Sequence, residues 1–372
     1  MMKPKIIRSA TVGTSLATFC RGLLRELSDD YDVLAVSSPD DDLKRLGEAE
    51  GVHTIGVPME RHISPWRDLC ALWHMWRVLR RERPTMVHSM TPKAGLITMV
   101  AAWLARVPVR VHTFTGLVWP TATGLKRRIL MATDWLTCAC ATHVVPEGEG
   151  VKRDLRHITS KPMRVLGYGN VRGIDLNYYT PERKEPTHPG VTTFLFVGRL
   201  VGDKGINELV QAFVRLHATH PATRLVLVGR QEPQLDPLQP ATLQAIDECD
   251  GIEAVGEQAD VRPFYNDADV FVLSSYREGF PNVVIEAGAM GLPSIVTDIN
   301  GANEIIINGR NGIIVPPRDE QALHDGMLYA LEHPDEFRQM AAQARQSMAE
   351  RYEQGYVRQC LKDFYREILA AK

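Results

Sequence analysis

The sequence of 372 residues lacks most features of secreted, membrane-spanning and metal-dependent proteins. Its six cysteines form no C-x-x-C pair, and Cys138 and Cys140 have no neighbouring cluster of ligands, which disfavours a disulfide framework and a metal site. The longest charge-free apolar stretch, residues 94–105, is too short to span a bilayer. The first residues contain no apolar signal segment, and free thiols fit a reducing cytoplasm. We therefore expect a cytoplasmic protein that can lie on a membrane but does not cross one.

A large net charge is also lacking: the chain carries −2 at pH 7, which excludes a polybasic nucleic-acid-binding protein. The charge is nevertheless unevenly distributed. Residues 1–180 hold 25 Lys and Arg against 17 Asp and Glu, so the rest holds 43 − 25 = 18 against 45 − 17 = 28. Between Arg61 and Arg128, 12 basic residues face only Asp68 and Glu82. This basic region suggests a domain that meets phosphate groups or anionic lipid, and the alternative is a solvated face without a partner.

Short apolar runs rich in β-formers alternate with segments of helical spacing. This alternation predicts α/β architecture with two Rossmann-like, doubly wound parallel sheets. We expect helices over 16–27, 64–83, 94–105, 281–290 and 334–371. The strands are predicted at residues 5–8, 33–37, 52–57, 85–89, 109–113, 143–145, 193–197, 224–229, 252–255, 270–273, 294–297 and 313–315.

A stretch rich in Pro and charge, residues 177–190, interrupts the alternation and predicts a linker. The expected domains are residues 1–176 and 191–350, followed by a C-terminal helix over 351–372 that returns to the first domain. Two such domains place the expected ligand site in a cleft at the carboxyl ends of the strands.

The predicted strand at 193–197 ends in a turn with two cations. Gly198 and Arg199 follow the strand, and Lys204 precedes a helical segment. Exposed amides, a helix dipole and two cations suit a phosphate group, although a P-loop is excluded because the Gly-Lys-Ser/Thr ending is absent. The alternative is a basic turn that caps a sheet edge.

A second motif, EGFPNVVIE at residues 278–286, follows the predicted strand at 270–273. Pro281 suits the first position of a helix, so Glu278 is expected in the loop and Glu286 inside the helix. Carboxylates accept hydrogen bonds from vicinal sugar hydroxyls. The alternatives are a solvated turn residue for Glu278 and a locally paired carboxylate for Glu286.

Together these motifs resemble the glycosyltransferases of family 4, which have the GT-B fold. The C-terminal resemblance rests on VGRL at 197–200, the Lys204-Gly pair, the 278–286 motif and GANEII at 301–306. The N-terminal half is similar to the bacterial branch that builds surface polysaccharide or lipid-linked oligosaccharide. That similarity rests on VPM at 57–59, ISP at 63–65, PTMVH at 84–88, TPKAG at 91–95 and GYGNVRGID at 167–175.

The resemblance implies roles in the C-terminal half. Arg199 and Lys204 would bind the diphosphate of a nucleotide-sugar, Glu278 the sugar hydroxyls and Glu286 the ribose. Fixed cations and helix amides would stabilise the charge on the leaving diphosphate, with no metal or other cofactor needed. The reaction would retain anomeric configuration. The remaining donor-site residues implied are Gly198, Phe280, Pro281, Asn282, Val283, Gly256 and Glu257.

The N-terminal half departs from the family at one place. Many relatives have His-Gly in the loop after the fifth strand, whereas Thr115-Gly116 stands here, with His112 three residues earlier. The residues predicted to contact the acceptor or its phosphate are Gly13, Thr14, Lys93, His112, Thr115, Gly116 and Asn170. The triple Asp40–Asp42 resembles the metal motif of another glycosyltransferase fold, but helix capping after Pro39 is the favoured interpretation.

An aromatic stripe runs along the predicted helix at 64–83. Trp66, Leu69, Trp73, Trp76 and Leu79 recur every three or four residues beside several arginines, and Lys126-Arg127-Arg128 adds a second basic cluster. The stripe fits either binding to anionic lipid or packing on the sheet, and we expect some of the Trp residues to be buried.

The sequence thus predicts a retaining, metal-independent hexosyl- or N-acetylhexosaminyltransferase. The donor is expected to be a UDP-sugar, and the acceptor a polyprenyl-diphosphate-linked glycan at the inner face of the cytoplasmic membrane. Two alternatives stay open: a GT-B sugar-nucleotide epimerase, which turns over nucleotide-sugar without acceptor, and a non-enzymatic nucleotide-sugar-binding protein.

Overall fold

The structure, a computed structural model, describes residues 3–60, 64–182, 188–234 and 236–371. It divides into two compact units, Met1–Gly173 with Gly355–Lys372 and Ile174–Gln354. The sequence-based boundaries are instead 176 and 350. Part of the predicted linker, 183–187, and residue 63 of the ISP motif lie outside the described residues.

The first unit is built on a parallel sheet of six strands in the order β3-β2-β1-β4-β5-β6. Most strand residues are apolar and buried, as expected for a parallel sheet covered on both faces. The strands are β1 (Lys5–Ser9), β2 (Asp32–Ser37), β3 (His53–Gly56), β4 (Met86–Met90), β5 (Val109–Phe114) and β6 (His143–Pro146).

Helices cover both faces of this sheet. They are α1 (Gly13–Cys20), α2 (Leu23–Leu27), α3 (Asp41–Glu50), α4 (Pro65–Glu82), α5 (Pro92–Leu104), α6 (Gly124–Cys140) and α7 (Glu149–Leu155). Apolar residues of α4, α5, α6 and α7 pack in one core cluster with one sheet face. Residues of α1, α2 and α3 pack in a second cluster, together with Leu361, Phe364 and Tyr365 near the C-terminus. The predicted return of the C-terminal helix to the first domain is confirmed.

The second unit repeats the architecture with a parallel sheet in the order β12-β11-β10-β7-β8-β9. Its strands are β7 (Thr192–Val197), β8 (Thr223–Val228), β9 (Ile252–Gly256), β10 (Val270–Leu273), β11 (Ser294–Thr297) and β12 (Gly312–Val315). Its helices are α8 (Ile206–Thr219), α9 (Pro240–Glu248), α10 (Arg262–Asp267), α11 (Asn282–Ala289), α12 (Ala302–Ile305), α13 (Glu320–Glu332) and α14 (Pro334–Tyr352), and the last helix of the chain is α15 (Gln354–Ala370).

The predicted fold class is confirmed, and all twelve predicted strands are present with ends that agree to within one residue. Two helix predictions were wrong in detail. The helix expected over 16–27 is interrupted at Gly22, whose φ of 73° lies in the left-handed region. The helix expected over 334–371 is two helices that meet at Glu353, where the backbone leaves the helical region.

Each sheet has one switch point, where neighbouring strands are followed by chain running in opposite directions along the sheet. It lies between β1 and β4 in the first unit and between β7 and β10 in the second. The carboxyl ends of strands at a switch point form the usual ligand crevice of doubly wound sheets. Among the described residues, none of the helices combines the length and apolar character needed to cross a bilayer.

Candidate functional site

The switch point of the second unit carries the two cations predicted to bind phosphate. Strand β7 ends at Val197, and the chain continues through Gly198 and Arg199 into a short 3-10 turn, Gly202–Lys204. Gly205 then begins α8 with a φ of 66°, and a Cβ there would lie 2.0 Å from the carbonyl oxygen of Ser274. Only glycine fits this approach, so the close contact between the loops after β7 and β10 depends on it.

Lys204 and Glu278 form an ion pair across this contact. The Lys204 Nζ lies 2.5 Å from Glu278 Oε1, and the Ser275 hydroxyl donates to the same oxygen at 2.9 Å. The Ser274 hydroxyl donates to the Lys204 carbonyl at 2.8 Å. Both charged side chains are less than one fifth exposed. The pairing keeps a cation and a carboxylate together in a poorly solvated place without leaving either uncompensated.

Arg199 is held by a second carboxylate, Glu232, in the loop after β8. Arg199 Nη1 donates to Glu232 Oε2 at 2.6 Å, and Arg230 Nη2 donates to the other oxygen at 3.1 Å. The hydrogen bond from Arg199 lowers the pKa of Glu232, and Arg230 adds to the effect. Sequence analysis missed Glu232, although it follows a predicted strand end in the same unit.

A cavity of about 290 Å³ opens at this switch point. Arg199, Lys204 and Glu278 line it. The other lining residues are Phe196, Val197, Gly198, Leu273, Phe280, Pro281, Asn282 and Val283. The structure therefore brings together eight of the predicted donor-site residues in one cavity. Pro281 is the N-cap of α11 rather than its first residue, so the amides that begin this helix follow Pro281 at the cavity wall.

The remaining predicted donor residues lie around this cavity without lining it. Glu286 is buried on α11, where the Tyr265 hydroxyl donates to its Oε2 at 3.3 Å. Gly256 ends β9 with a φ of 72°, and its carbonyl accepts from the Gly229 amide at 2.8 Å. The Glu257 carboxylate lies 3.9 Å from Arg230 Nη1.

A further ion pair that sequence analysis missed ties the two loops of the cavity. Arg277 Nη2 donates to Asp203 Oδ2 at 3.0 Å, and the Asp236 carboxylate accepts from the Asp203 amide at 2.6 Å. Asp203 directly precedes Lys204 in the sequence, and Arg277 directly precedes Glu278. Their contacts fix the loop positions but carry no sequence pattern of their own, because the partners are more than 30 residues apart.

In the first unit, the structure places several predicted acceptor residues near the carboxyl ends of strands. Lys93 lies in the first turn of α5, where its Nζ contacts Asp68 Oδ1 of α4 at 2.7 Å. The Gly13 amide donates to Asp40 at 3.0 Å, and the Thr14 hydroxyl donates to Asp42 at 2.5 Å. Both groups at the start of α1 are therefore already engaged within the protein.

Three further predicted acceptor residues lie in the loop after β5 and in the segment that follows α7. Thr115 and Gly116 follow β5 directly and are partly exposed, and Gly116 has a φ of 128°. Asn170 is buried with a φ of 59°, and its side-chain oxygen accepts from the amides of Arg172 and Gly173. Asn170 therefore shapes its own turn.

His112 does not fit the predicted acceptor role, because it is buried within β5. Its side chain is 1% exposed, its Nδ1 lies 2.8 Å from the Ser89 hydroxyl, and its ring fills the space above Gly95. Burial lowers its pKa to about 3, so the ring is neutral. The neighbouring His88 is equally buried, and burial lowers its pKa as well. Both histidines are core residues.

The aspartate triple at 40–42 caps a helix, as favoured from the sequence. The Asp40 carboxylate accepts from the Leu43 amide at 2.8 Å and so satisfies the start of α3. Elsewhere in the described part of the chain, one group of potential metal ligands occurs, His217, Cys249 and Asp250. It lies beside the amino ends of β8 and β9, at the opposite sheet edge from the cavity.

The aromatic stripe of α4 is exposed at one end and buried at the other. Trp66 and Trp73 are 77% and 51% exposed, whereas Trp76 packs partly against the core and Leu79 is buried. The expectation that some of the Trp residues are buried thus holds only in part, for Trp76.

Two doubly wound units in one chain are the architecture of the GT-B fold, and solved structures agree with this assignment. HepE from Anabaena, solved in complex with UDP and glucose, has a TM-score of 0.80 at 17% identity, covering 98% of this chain and 100% of its own.

Family models match both units. Residues 191–333 match the model described as "Glycosyl transferases group 1", and residues 14–169 match "Glycosyl transferase 4-like domain". The capsular polysaccharide biosynthesis glycosyltransferase CapM of Staphylococcus aureus is 34% identical over 87% of this chain and 86% of its own length. A UDP-Gal:alpha-D-GlcNAc-diphosphoundecaprenol alpha-1,3-galactosyltransferase of Escherichia coli is 27% identical over 73% and 72%. The chain belongs to the group 1 glycosyltransferases.

Proposed function

We propose that this glycosyltransferase moves a hexosyl or N-acetylhexosaminyl group from a UDP-sugar to a polyprenyl-diphosphate-linked glycan during cell-surface polysaccharide biosynthesis. The observation that carries the donor half is the cavity that Arg199, Lys204 and the start of α11 line together. The E. coli relative is named for a UDP-sugar donor and a diphosphoundecaprenol-linked acceptor, which supports the choice of substrates. So does the presence of UDP and glucose in the HepE structure.

In this proposal the diphosphate of the donor binds between Arg199 and Lys204. A diphosphate carries more negative charge than a carboxylate and offers more acceptor oxygens to a guanidinium, so it can compete with Glu232 for Arg199. As the bond from the anomeric carbon to the phosphate oxygen breaks, negative charge grows on the diphosphate. The two cations and the amides that begin α11 stabilise that charge, because they are already fixed in place.

The two carboxylates hold the neutral parts of the donor. Glu278, once Lys204 turns to the diphosphate, accepts hydrogen bonds from sugar hydroxyls, and Glu286 accepts from the ribose. Gly256 and Glu257 lie near the base. The acceptor hydroxyl attacks the face from which the diphosphate leaves, its proton passes to the leaving group, and the anomeric configuration is retained. No step calls for a metal ion.

The acceptor side is assigned to the first unit. Lys93, in the first turn of α5 beside the switch point, is the proposed cation for the acceptor diphosphate, and Gly13, Thr14, Thr115, Gly116 and Asn170 are the proposed neighbours. Because the acceptor is anchored in lipid, the enzyme works at the inner face of the cytoplasmic membrane.

Thermal unfolding with a panel of UDP-, GDP- and dTDP-sugars in EDTA tests the donor assignment. Ligands that bind the native state raise the melting temperature by mass action. We expect stabilisation by a UDP-sugar in the wild type and none in the Arg199→Ala/Lys204→Ala double variant. Stabilisation that persists in the variant contradicts the proposed site.

Product analysis separates the proposed transferase from its two alternatives. Incubation with the stabilising nucleotide-sugar and polyprenyl-diphosphate glycans should release UDP only when acceptor is present. A sugar epimer formed without acceptor indicates an epimerase. Binding without any turnover, in the presence of a membrane extract that supplies acceptors, indicates a nucleotide-sugar-binding protein.

A further inference from the structure

The outer faces of α4 and α6 carry apolar side chains that the described part of the first unit leaves exposed to solvent. On α4 these are Trp66, Leu69 and Trp73, and on α6 they are Leu125, Ile129 and Leu136. Each of them is more than one third exposed, and Trp66 and Leu125 are more than 70% exposed. We call these six residues the α4–α6 surface. Single exposed apolar residues are ordinary, but two aligned stripes on nearby helices mark an interaction site.

Helical periodicity places each stripe opposite the buried face of its helix. On α4, Trp66, Leu69 and Trp73 are spaced by three and four residues, whereas Ala71 and Met75 point into the core. On α6, Leu125, Ile129 and Leu136 share one face, whereas Asp134, Thr137 and Cys138 are buried on the other. Both helices therefore have a second apolar face beyond the one that packs on the sheet.

Both stripes begin near the carboxyl edge of the sheet. Helix α4 follows β3 and α6 follows β5, so both start at that edge, and α5 packs between them. The switch point and Lys93 lie at the same edge. The α4–α6 surface thus borders the place where the proposed acceptor diphosphate binds.

Basic residues surround the apolar stripes. Arg77 and Arg80 continue the Trp66–Trp73 face of α4, and Lys126, Arg127 and Arg128 occupy the first turns of α6. Within the described ranges these five cations form no ion pair; Arg77 instead stacks over the Trp73 ring at 4.6 Å. The surface is therefore positive as well as apolar, and no carboxylate of the described residues pairs with its cations.

We propose that the α4–α6 surface docks the enzyme on an anionic lipid bilayer. Tryptophan rings beside arginines suit the boundary between headgroups and acyl chains, where the ring is half solvated and each cation gains from the negative surface potential. The inference rests on the proposed function, because docking there brings the switch point of the first unit to a lipid-linked acceptor.

The test is co-sedimentation of the full chain with vesicles. The first set is equimolar phosphatidylglycerol and phosphatidylcholine, and the second is phosphatidylcholine alone. We expect the wild type to bind the anionic vesicles and to lose binding in high salt. The Trp66→Ala/Leu69→Ala/Trp73→Ala variant should bind at least roughly tenfold more weakly, because it lacks the apolar side chains that enter the membrane.

Trp103→Ala is the matched control. Trp103 is 56% exposed, a fraction similar to that of Trp73. It lies at the end of α5 that is farther from the carboxyl edge of the sheet. Its loss should leave vesicle binding unchanged within about twofold. Circular dichroism of each variant verifies that it is folded.

Two results would overturn the docking proposal. One is equal vesicle binding by the wild type and the triple variant. The other is a wild-type dimer in sedimentation equilibrium that the triple variant converts to monomer without any vesicle binding, because the surface would then join two copies of the chain. Transfer to a short-chain, detergent-soluble acceptor separates this proposal from the proposed function. A variant that has lost only docking should keep its activity on this soluble acceptor. If the proposed function is wrong, the wild type itself should show no such activity.

Discussion

The two units share one strand order but differ in how their charged groups are paired. Read from β9 to β12, the second sheet has the same topology as the first from β3 to β6. At the switch point of the second unit, Lys204 and Arg199 are each paired with a carboxylate. The first unit instead buries lone ionisable groups, such as His112 and Asp134, and carries its unpaired cations on the outer faces of helices.

This difference in charge pairing indicates how one fold can provide both a donor site and an acceptor site. A buried cation needs a partner, and a carboxylate partner that a diphosphate can replace makes a site that is stable empty and ready for an anion. A lone buried group has no such exchange and stays neutral or satisfied by hydrogen bonds. The chemistry is therefore expected in the second unit, and positioning of the acceptor in the first.

The largest expected effect comes from removing a cation of the cavity. Lys204→Ala should lower kcat by roughly 10²–10³-fold, about 3 kcal/mol, because the leaving diphosphate loses a fixed positive partner. Arg199→Ala should cost somewhat less, because Arg199 is more exposed and its charge is better screened. Initial rates of UDP release at saturating acceptor measure both.

Arg230→Ala is the matched control for these variants. Arg230 bonds the same Glu232 as Arg199 but does not line the cavity. Its loss should change kcat by less than about threefold. Equal losses in the Arg199 and Arg230 variants would mean that general positive charge, and not the cavity geometry, matters.

A lone buried carboxyl in the first unit should make stability depend on pH. Burial raises the pKa of Asp134 to about 7, well above its unfolded value. The native state therefore binds more protons in this window, and the contribution of Asp134 to stability is lost as pH rises through about 7. Between about pH 5 and pH 8 the wild type should lose about 2–3 kcal/mol of unfolding free energy relative to Asp134→Asn, which has no carboxyl group to ionise.

Urea unfolding of both proteins at the two pH values measures this difference. The buried histidines contribute equally to the pH dependence of both proteins, so comparing the wild type with the variant cancels their contribution. Parallel stability curves for the two proteins would show that Asp134 is ionised in the native state.

The lone guanidinium of Arg8 sets the next effect. Arg8 Nη1 donates to the Tyr365 hydroxyl at 2.5 Å and to His88 Nδ1 at 2.8 Å, and no described carboxylate pairs with it. Tyr365→Phe leaves the buried cation with one partner fewer and should lower the free energy of unfolding by about 2 kcal/mol. Tyr356→Phe, on the same helix but 40% exposed, should change it by less than about 0.5 kcal/mol. Equal effects would place the Tyr365 contribution in helix packing.

The strands and the cavity could be predicted from the sequence because their signals are local. Buried parallel strands are continuous apolar runs, and Gly198, Arg199 and Lys204 follow one of them directly. Glu232 could not be assigned in the same way, because it pairs with Arg199, which lies 33 residues earlier in the loop after a different strand. Nothing in the residues around it marks that contact.

The exposure of Trp66 and Trp73 had a signal that was overlooked. Their three-to-four spacing is the same for a buried and an exposed helix face. However, Ala71, Met75 and Val78 form a second apolar stripe on α4, and a helix on the edge of a unit buries only one. His112 also had a signal of burial, because it lies within the strand predicted over 109–113, and a parallel strand covered on both faces buries nearly every side chain.

The smallest expected effect tests whether the first unit also uses a cation for phosphate. Lys93 and Asp68 form an ion pair of about the same length as that of Lys204 and Glu278. Lys93→Ala should raise the acceptor KM roughly tenfold with little change in kcat, because it removes ground-state binding of the acceptor diphosphate. Initial rates at saturating donor, with acceptor varied, measure the split.

Asp68→Asn distinguishes a role of Lys93 in acceptor binding from a role in joining α4 to α5, because it breaks the same ion pair but keeps the cation. If Lys93 binds the acceptor, Asp68→Asn leaves the acceptor KM unchanged or lowers it, since the ammonium no longer has to leave a carboxylate. If Lys93 only joins α4 to α5, both variants lose similar stability and neither changes the acceptor KM. A raised acceptor KM in Lys93→Ala alone would mean that both switch points use an ion pair that a phosphate group can open. An unchanged acceptor KM in both variants would mean that only the donor site uses such an ion pair.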